Sequence, residues 1–417
     1  MRSGAELPHL VLSTHSASDF SAQQFMPSLY FDHNATTFLA PEVAEAYATA
    51  LKEVHGNASS VHRAGQFARQ QLEMSRRLLA ESWNAFPQEV VFTSGGTESN
   101  NLALFGLVRA VPGERKHVVT TAIEHPSILE CCRQLEREGV TVSYTGVTGG
   151  GVVDTEAIRR EIRPETVLVS VMHANNETGV IQPVAELASV VRGLRRAGQQ
   201  IFLHSDGVQA FGKIGVDVQE LGVDLYSISG HKIFAPKGIG ALFVRKGTPL
   251  KGIQYGGRHE RERRAGTENV PAAIALATAV KLAQESSSRE LQLLRDRFES
   301  EAMAALDEVE VNGVRDKRLP NTSNLLFRGV SGEALVIALD MKGIAVSSGS
   351  ACSSGSVEPS HVLLAMGRTM DEARSSVRFS LGRYNGSEEI DSLTRATVSS
   401  VGQLRRSVKK ERSFVTV

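Results

Sequence analysis

Residues 223–232 read VDLYSISGHK, and the architecture turns on how this stretch is interpreted. Val223, Leu225, Tyr226 and Ile228 give the pattern of a buried strand, which puts Gly230, His231 and Lys232 just past its carboxyl end. In open α/β sheets that edge is where ligands bind. A lysine flanked there by Ser229, His231, Ile233 and Phe234 loses part of its hydration, which disfavours the ammonium and frees the amine as a nucleophile. The plain alternative is a lysine reaching from a strand end into water, and the hexapeptide alone leaves both open.

Strand and helix patterns alternate upstream of this stretch. A short strand LYFD leads into the turn HNATT and a helix, PEVAEAYATALKEV, with Pro41 at its first position. A second helix is predicted from about Ala64 to Trp83. Then come EVVFTS, a helix from Glu98, HVVTTAI, a helix from Ser127, TVSYTGV, DTEAIRREI, TVLVSVMHA, a helix after Pro183, and QIFLHSD. Such alternation predicts an α/β protein with a mostly parallel sheet and helices on both faces. Beyond Thr267 the pattern changes to a long helical run, followed by a strand, helix and strand around NTSNLLFRG, GEALVIALDMKG and IAVSSGSAC. The predicted division is therefore a disordered leader over 1–27, a large unit over 28–270 and a smaller α+β unit over 271–417. The segment after the leader is free to join the smaller unit.

The totals narrow the function. With 46 Lys plus Arg against 46 Asp plus Glu, the chain of 417 residues has no electrostatic footprint for nucleic acid. No apolar run approaches the roughly 20 residues of a membrane span. Small-molecule chemistry is the remaining default. Three cysteines, Cys131 and Cys132 adjacent and Cys352 distant, make neither a disulfide framework nor a spaced zinc cluster, so a reducing, cytoplasmic setting is expected.

Three further segments place polar groups at predicted strand ends. QIFLHSD finishes at Asp206 with Gln209 shortly after, and a carboxylate on the same rim as the lysine suits a cationic ring nitrogen; an ordinary helix N-cap is the plain reading. EVVFTS runs into Gly95, Gly96 and Thr97 before a helix, where exposed amides at the positive end of the dipole make a phosphate cradle; a glycine turn with a Thr cap is the plain reading. His125 ends HVVTTAIE ahead of a helix with a Ser127 to Glu130 capping box. What favours chemistry is coincidence, since all four groups fall on one edge of one sheet.

With those residues in view, HNATT, SGGTES, TAIEHPS, NNETG, HSDGVQ, SISGHK, RAGTEN, SSGSACSSGS and SVRFSLGR occur in an order that resembles one family. These motifs are similar to those of the pyridoxal-phosphate-dependent cysteine desulfurases of the NifS/IscS type, in the class V aminotransferase superfamily with its fold type I. The resemblance implies that Lys232 holds pyridoxal 5'-phosphate covalently, Asp206 pairs the ring nitrogen, Gln209 bonds the ring oxygen and His125 stacks on the ring and moves protons. It assigns the phosphate to Gly96, Thr97, Ser229 and His231, with Thr267 arriving from a second subunit, and hence a homodimer. Asn34, Asn176 and Arg378 would hold the L-cysteine carboxylate or the ring hydroxyl, Asn176 serving cofactor and substrate alike.

Cys352 stands in a run of Ser and Gly with almost no apolar surface to bury, so a mobile, exposed thiol is expected. By resemblance it takes the substrate sulfur as a persulfide for an acceptor such as an iron-sulfur scaffold. It would serve as a metal ligand only if the persulfide transiently touched a cluster. Cys131 and Cys132 lie in the helical stretch SILECC, where core packing is expected. The implied roles are iron-sulfur cluster assembly or tRNA thiolation; an aminotransferase, a selenocysteine lyase and a DNA-phosphorothioation desulfurase are the alternatives. His33 departs from the family pattern, where a small or polar residue is usual, and RRSVKKER near the C-terminus reads as a solvated basic helix end.

Overall fold

The structure, a computed structural model, describes residues 29–285, 288–348 and 358–415. The leader expected over 1–27 and Cys352 both lie outside the described residues. The strands are β1 (Leu29–Tyr30), β2 (Val90–Thr93), β3 (His117–Thr121), β4 (Thr141–Thr145), β5 (Thr166–Ser170) and β6 (Phe202–Asp206), followed by β7 (Leu225–Ser229) and β8 (Gly240–Val244). β9 (Val309–Val311), β10 (Thr322–Phe327), β11 (Ile344–Ala345) and β12 (Ser376–Ser380) complete the set.

β2 to β8 form one seven-stranded sheet in the order β2-β8-β7-β6-β5-β3-β4. β8 runs antiparallel to both its neighbours, and the pairs from β7 to β4 are parallel. The continuous apolar character of VVFT, TVLVS and LYSIS now has its cause. Every residue of β2, β5 and β7 is buried, as expected of strands covered by helices on both faces. One face packs Leu102, Leu104, Phe105, Ile128 and both adjacent cysteines; the other packs Leu72, Leu79, Trp83, Tyr226 and Phe243.

β1 pairs parallel with β11, and Phe31 buries against a cluster that includes Phe298, Phe327 and Phe379. β12, β10 and β9 make an antiparallel sheet beside it. The helix Val270–Gln284, by contrast, supplies Ala272, Ala275, Leu276, Ala279 and Val280 to the main cluster and lies on the helices Pro41–Glu53 and Arg63–Ser82. Small Ala side chains let this helix lie close against those two helices.

Candidate active site at the strand ends

Five strands of the large sheet release their chains toward one edge. β2 leads to Gly95 and Gly96, β3 to Glu124 and His125, β5 to Asn175 and Asn176, β6 to Asp206 and Gln209, and β7 to His231 and Lys232. The antiparallel β8 starts at the same edge, with Gly240 so tight that a Cβ there would lie 2.6 Å from Gly95 Cα.

The glycine turn after β2 is built for close approach. Gly95 has φ +152°, which side-chain-bearing residues rarely adopt, and a Cβ on Gly96 would lie 2.7 Å from Val208 Cγ2. The helix Gly96–Ala110 that begins there has no side chain capping it among the described residues, so its positive end is open toward Ser229 and the exposed Thr97. His231 has its Nδ1 3.1 Å from Thr36 Oγ1, and burial followed by the charge of Lys232 pushes its pKa down to about 4. An imidazole so placed is neutral at ordinary pH.

Asp206 is buried and receives two N–H donors, Asn100 Nδ2 at 2.7 Å and the Val208 amide at 2.9 Å. Beneath it Tyr226 donates to or accepts from His173 Nδ1 at 2.8 Å, and a Cβ on Gly207 would lie 2.0 Å from the Tyr226 ring. His125 caps the helix Pro126–Arg137, its Nδ1 bonded to the Ser127 amide and hydroxyl at 3.1 and 2.8 Å. Burial holds its pKa below the usual imidazole value; Asp206 pulls it up, and Lys232 and His361 push it down. His125, Asp206 and Lys232 thus form one electrostatic group.

Asn34 is the hub of the opposite wall. Lys232 Nζ donates to the carbonyls of Asn34 and Ala35 at 2.7 and 2.6 Å, and Gln209 Nε2 to the Asn34 carbonyl at 2.9 Å. Lys213 Nζ bonds Asn34 Oδ1 at 2.8 Å and Gln209 Oε1 at 2.6 Å. Asn34 Nδ2 reaches Thr322 Oγ1 at 2.9 Å and the Asn176 carbonyl at 3.2 Å, joining the large sheet to β10. Arg378 on β12 donates to the same Asn176 carbonyl at 3.0 Å and pairs with Asp32 at 2.7 Å; its Nε is buried with no partner among the described residues.

The structure thus brings together Lys232, Asp206, His125, Gln209, Asn34, Asn176 and Arg378, with Ser229, Gly96 and Thr97 on one flank. Thr267 is exposed, and its neighbour Arg264 pairs with Glu98 at 2.8 Å. The segment carrying Cys352 leaves from Ser347, whose backbone exchanges hydrogen bonds with Arg378, and returns at Ser360, which bonds Glu177, and His361, whose Nε2 meets the Glu124 carbonyl at 3.0 Å. Cys131 and Cys132 are buried, and burial pushes the Cys131 thiol up to about 12 and Cys132 higher still. Among the described residues no cluster of His, Cys, Asp and Glu is placed to hold a metal, and no helix is long and apolar enough to cross a membrane.

Sequence reasoning missed Asn100, Asp32, Glu124, Glu177, Lys213 and His361. The first four sit one to four positions from residues already singled out, so closeness in sequence was the available signal. Lys213 had one as well, lying at i+4 from Gln209, as its hydrogen bond reflects.

The Aminotransferase class-V family pattern matches residues 29–393. A "Cysteine desulfurase IscS" of Dictyoglomus turgidum is 43% identical over 366 residues, covering 87% of this chain and 92% of that protein. A solved "NIFS-LIKE PROTEIN" superposes with a TM-score of 0.84 at 34% identity, covering 91% of this chain and 100% of its own. Another, "SspA in complex with cysteine", gives 0.77 at 33% identity, covering 86% and 100%. By sequence over nearly its whole described length, and by the course of its backbone, the chain belongs to the class-V aminotransferase family.

Proposed function

We propose that this protein is a cysteine desulfurase that uses pyridoxal 5'-phosphate to convert L-cysteine to L-alanine and passes the sulfur on from Cys352. The observation that carries the reading is one sheet edge holding the Lys232 side chain, the buried Asp206 and the His125 imidazole, whose pKa burial lowers. The relatives named as cysteine desulfurases favour it over an aminotransferase, a selenocysteine lyase or a DNA-phosphorothioation enzyme. An aminotransferase also has no need of Cys352.

The residues fit the cofactor. The uncapped helix start beside Gly95 and Gly96, where a Cβ would fill the space, suits its phosphate, aided by Thr97, Ser229 and His231. Asp206, fixed by Asn100 and Val208, suits a ring nitrogen, and Gln209 suits the ring oxygen. When bound, the cofactor supplies an electron sink beside the substrate's α carbon. Lys232 anchors it and, once released, takes the α proton with His125 beside it. Arg378 and Asn176 orient the substrate carboxylate, the Arg fork meeting it bidentately. Cys352 thiolate attacks the substrate sulfur; an S–S bond forms, the C–S bond breaks with its electron pair on carbon, and protonation there gives alanine. Incubating the holoenzyme with L-cysteine and mapping persulfide by mass spectrometry should mark Cys352. Label on Cys131 or Cys132, or normal turnover by Cys352→Ser, would overturn the assignment.

The reading extends to a homodimer in the cytoplasm serving an acceptor such as an iron-sulfur scaffold. The exposure of Thr267 supports a role across a subunit interface. Mixed chains test it: Lys232→Ala with Thr267→Ala should recover activity in one site of each heterodimer. Heterodimers no more active than either parent would remove Thr267 from the site.

A further inference from the structure

Behind Lys232, on the side away from His125 and Asp206, lies a cavity of about 300 Å³ between the two units. Of the groups at the strand-end edge only Lys232 lines it; His125, Asp206 and Ser229 do not. Its walls carry Phe211, Ile214 and Ala283, together with His33, Lys213 and Arg383.

Two of those polar groups are incompletely satisfied. His33 is 2% exposed, and its Nδ1 has no hydrogen-bond partner among the described residues. Burial keeps the imidazole neutral, so Nδ1 is free to accept a hydrogen bond from a ligand donor, and leaving it unmet in these surroundings is unfavourable. Lys213 meets only two amide oxygens, Asn34 Oδ1 and Gln209 Oε1, and makes no ion pair among the described residues. As an ammonium it would have a third N–H with no partner among the described residues. Its ammonium is disfavoured by burial and then by Lys232 and Arg378, so a nearby anion would relieve it.

We propose that this cavity is a second small-molecule site that takes a small organic acid bearing a hydroxyl or amino group, its carboxylate on Lys213 and its donor on His33 Nδ1. Arg383 adds a second cation, and Phe211 and Ile214 cover the carbon skeleton. Lys213 is bonded to the same Asn34 whose carbonyl holds Lys232, so occupancy is transmitted to the active-site lysine through one residue. The site goes beyond the desulfurase reading and does not depend on it.

Glycolate is a suitable probe, since it has carboxylate and hydroxyl but no amine to react with the cofactor. Calorimetry on the cofactor-loaded enzyme should show saturable binding, weakened at least about tenfold by Lys213→Met and by Ala283→Phe, which fills the cavity. Acetate, with no donor for His33, should bind more weakly than glycolate. Leu291→Trp fills the cavity from the neighbouring helix and serves if Ala283→Phe does not fold. Glycolate binding that survives both filling variants would put the carboxylate at Arg378, and no saturable binding would mean that the cavity holds water only. Either result overturns the proposal.

Discussion

Glu124, fully buried and next in sequence to His125, carries a charge balance of its own. Its Oε1 accepts from Thr121 Oγ1 and the Met172 amide, Oε2 has no partner among the described residues, and burial drives its pKa from 4.5 to about 8. The folded protein therefore holds a proton here that the unfolded chain gives up near its ordinary value. This contribution to stability is complete below about pH 4.5 and is lost as pH rises toward about 8, with a slope of up to about 1.4 kcal/mol per pH unit. Glu124→Gln mimics the protonated acid and keeps the acceptor for Thr121 and Met172. Urea unfolding of the variant should show a flatter dependence between pH 5 and 8, set here as about the window between the two pKa values. An unchanged slope would mean that Glu124 is ionised in the fold.

At the scale of elements, the approach to RAGTEN rests on a buried ion pair. Glu260 receives Arg76 through two bonds of 2.7 Å and the Phe92 amide at 2.9 Å, and both partners are nearly inaccessible. Around it Glu260, Arg261 and Glu262 all have positive φ, a costly run for residues with side chains, held in place by this anchor. Glu260→Ala leaves the buried Arg76 with only the part-exposed Glu73, 3.1 Å away, to offset its charge, so a loss of up to about 3–5 kcal/mol is expected by denaturant unfolding. Arg76→Met with Glu260→Leu should cost far less; a single substitution as mild as the pair would show that the guanidinium finds water. The element also marks what the sequence could and could not show. Strand ends carrying Asp206 and Lys232 were legible from period and length, since both faces of the sheet are buried. The ion pair joining Arg76 to Glu260 was not, because nothing in local pattern tells which distant charges meet. Likewise the Ala-rich helix Val270–Gln284 reads as generic helix, and only packing shows which helices it lies against.

For the molecule as a whole, neutral buried histidines set the acid limit. Burial lowers His33 and His204 to about 3, and His173 to about 4. Below about pH 6.5 the unfolded chain gains protons that these folded imidazoles refuse, so stability falls as pH drops through that window toward the folded values. Each can contribute up to about 1.4 kcal/mol per pH unit. Denaturant midpoints should therefore decline steeply from pH 6 to 4, about the upper part of that range, and His204→Asn should make the decline shallower. A wild-type profile flat across that range would refute neutral burial. His204 spans Ser170 and Ser227, one strand to each side, so the same burial that fixes the sheet makes it acid-sensitive.

The contact between Gly207 and the Tyr226 ring ties two positions into one evolutionary unit. With the phenol in place, any residue larger than glycine at 207 would drive a Cβ to 2.0 Å of the ring, directly beneath Asp206. Drift at 207 must therefore wait for a slimmer side chain at 226, which in turn releases His173 from its bond to the phenol. Homologous chains should show the two positions changing together or not at all, with His173 free to vary only where Tyr226 has already gone.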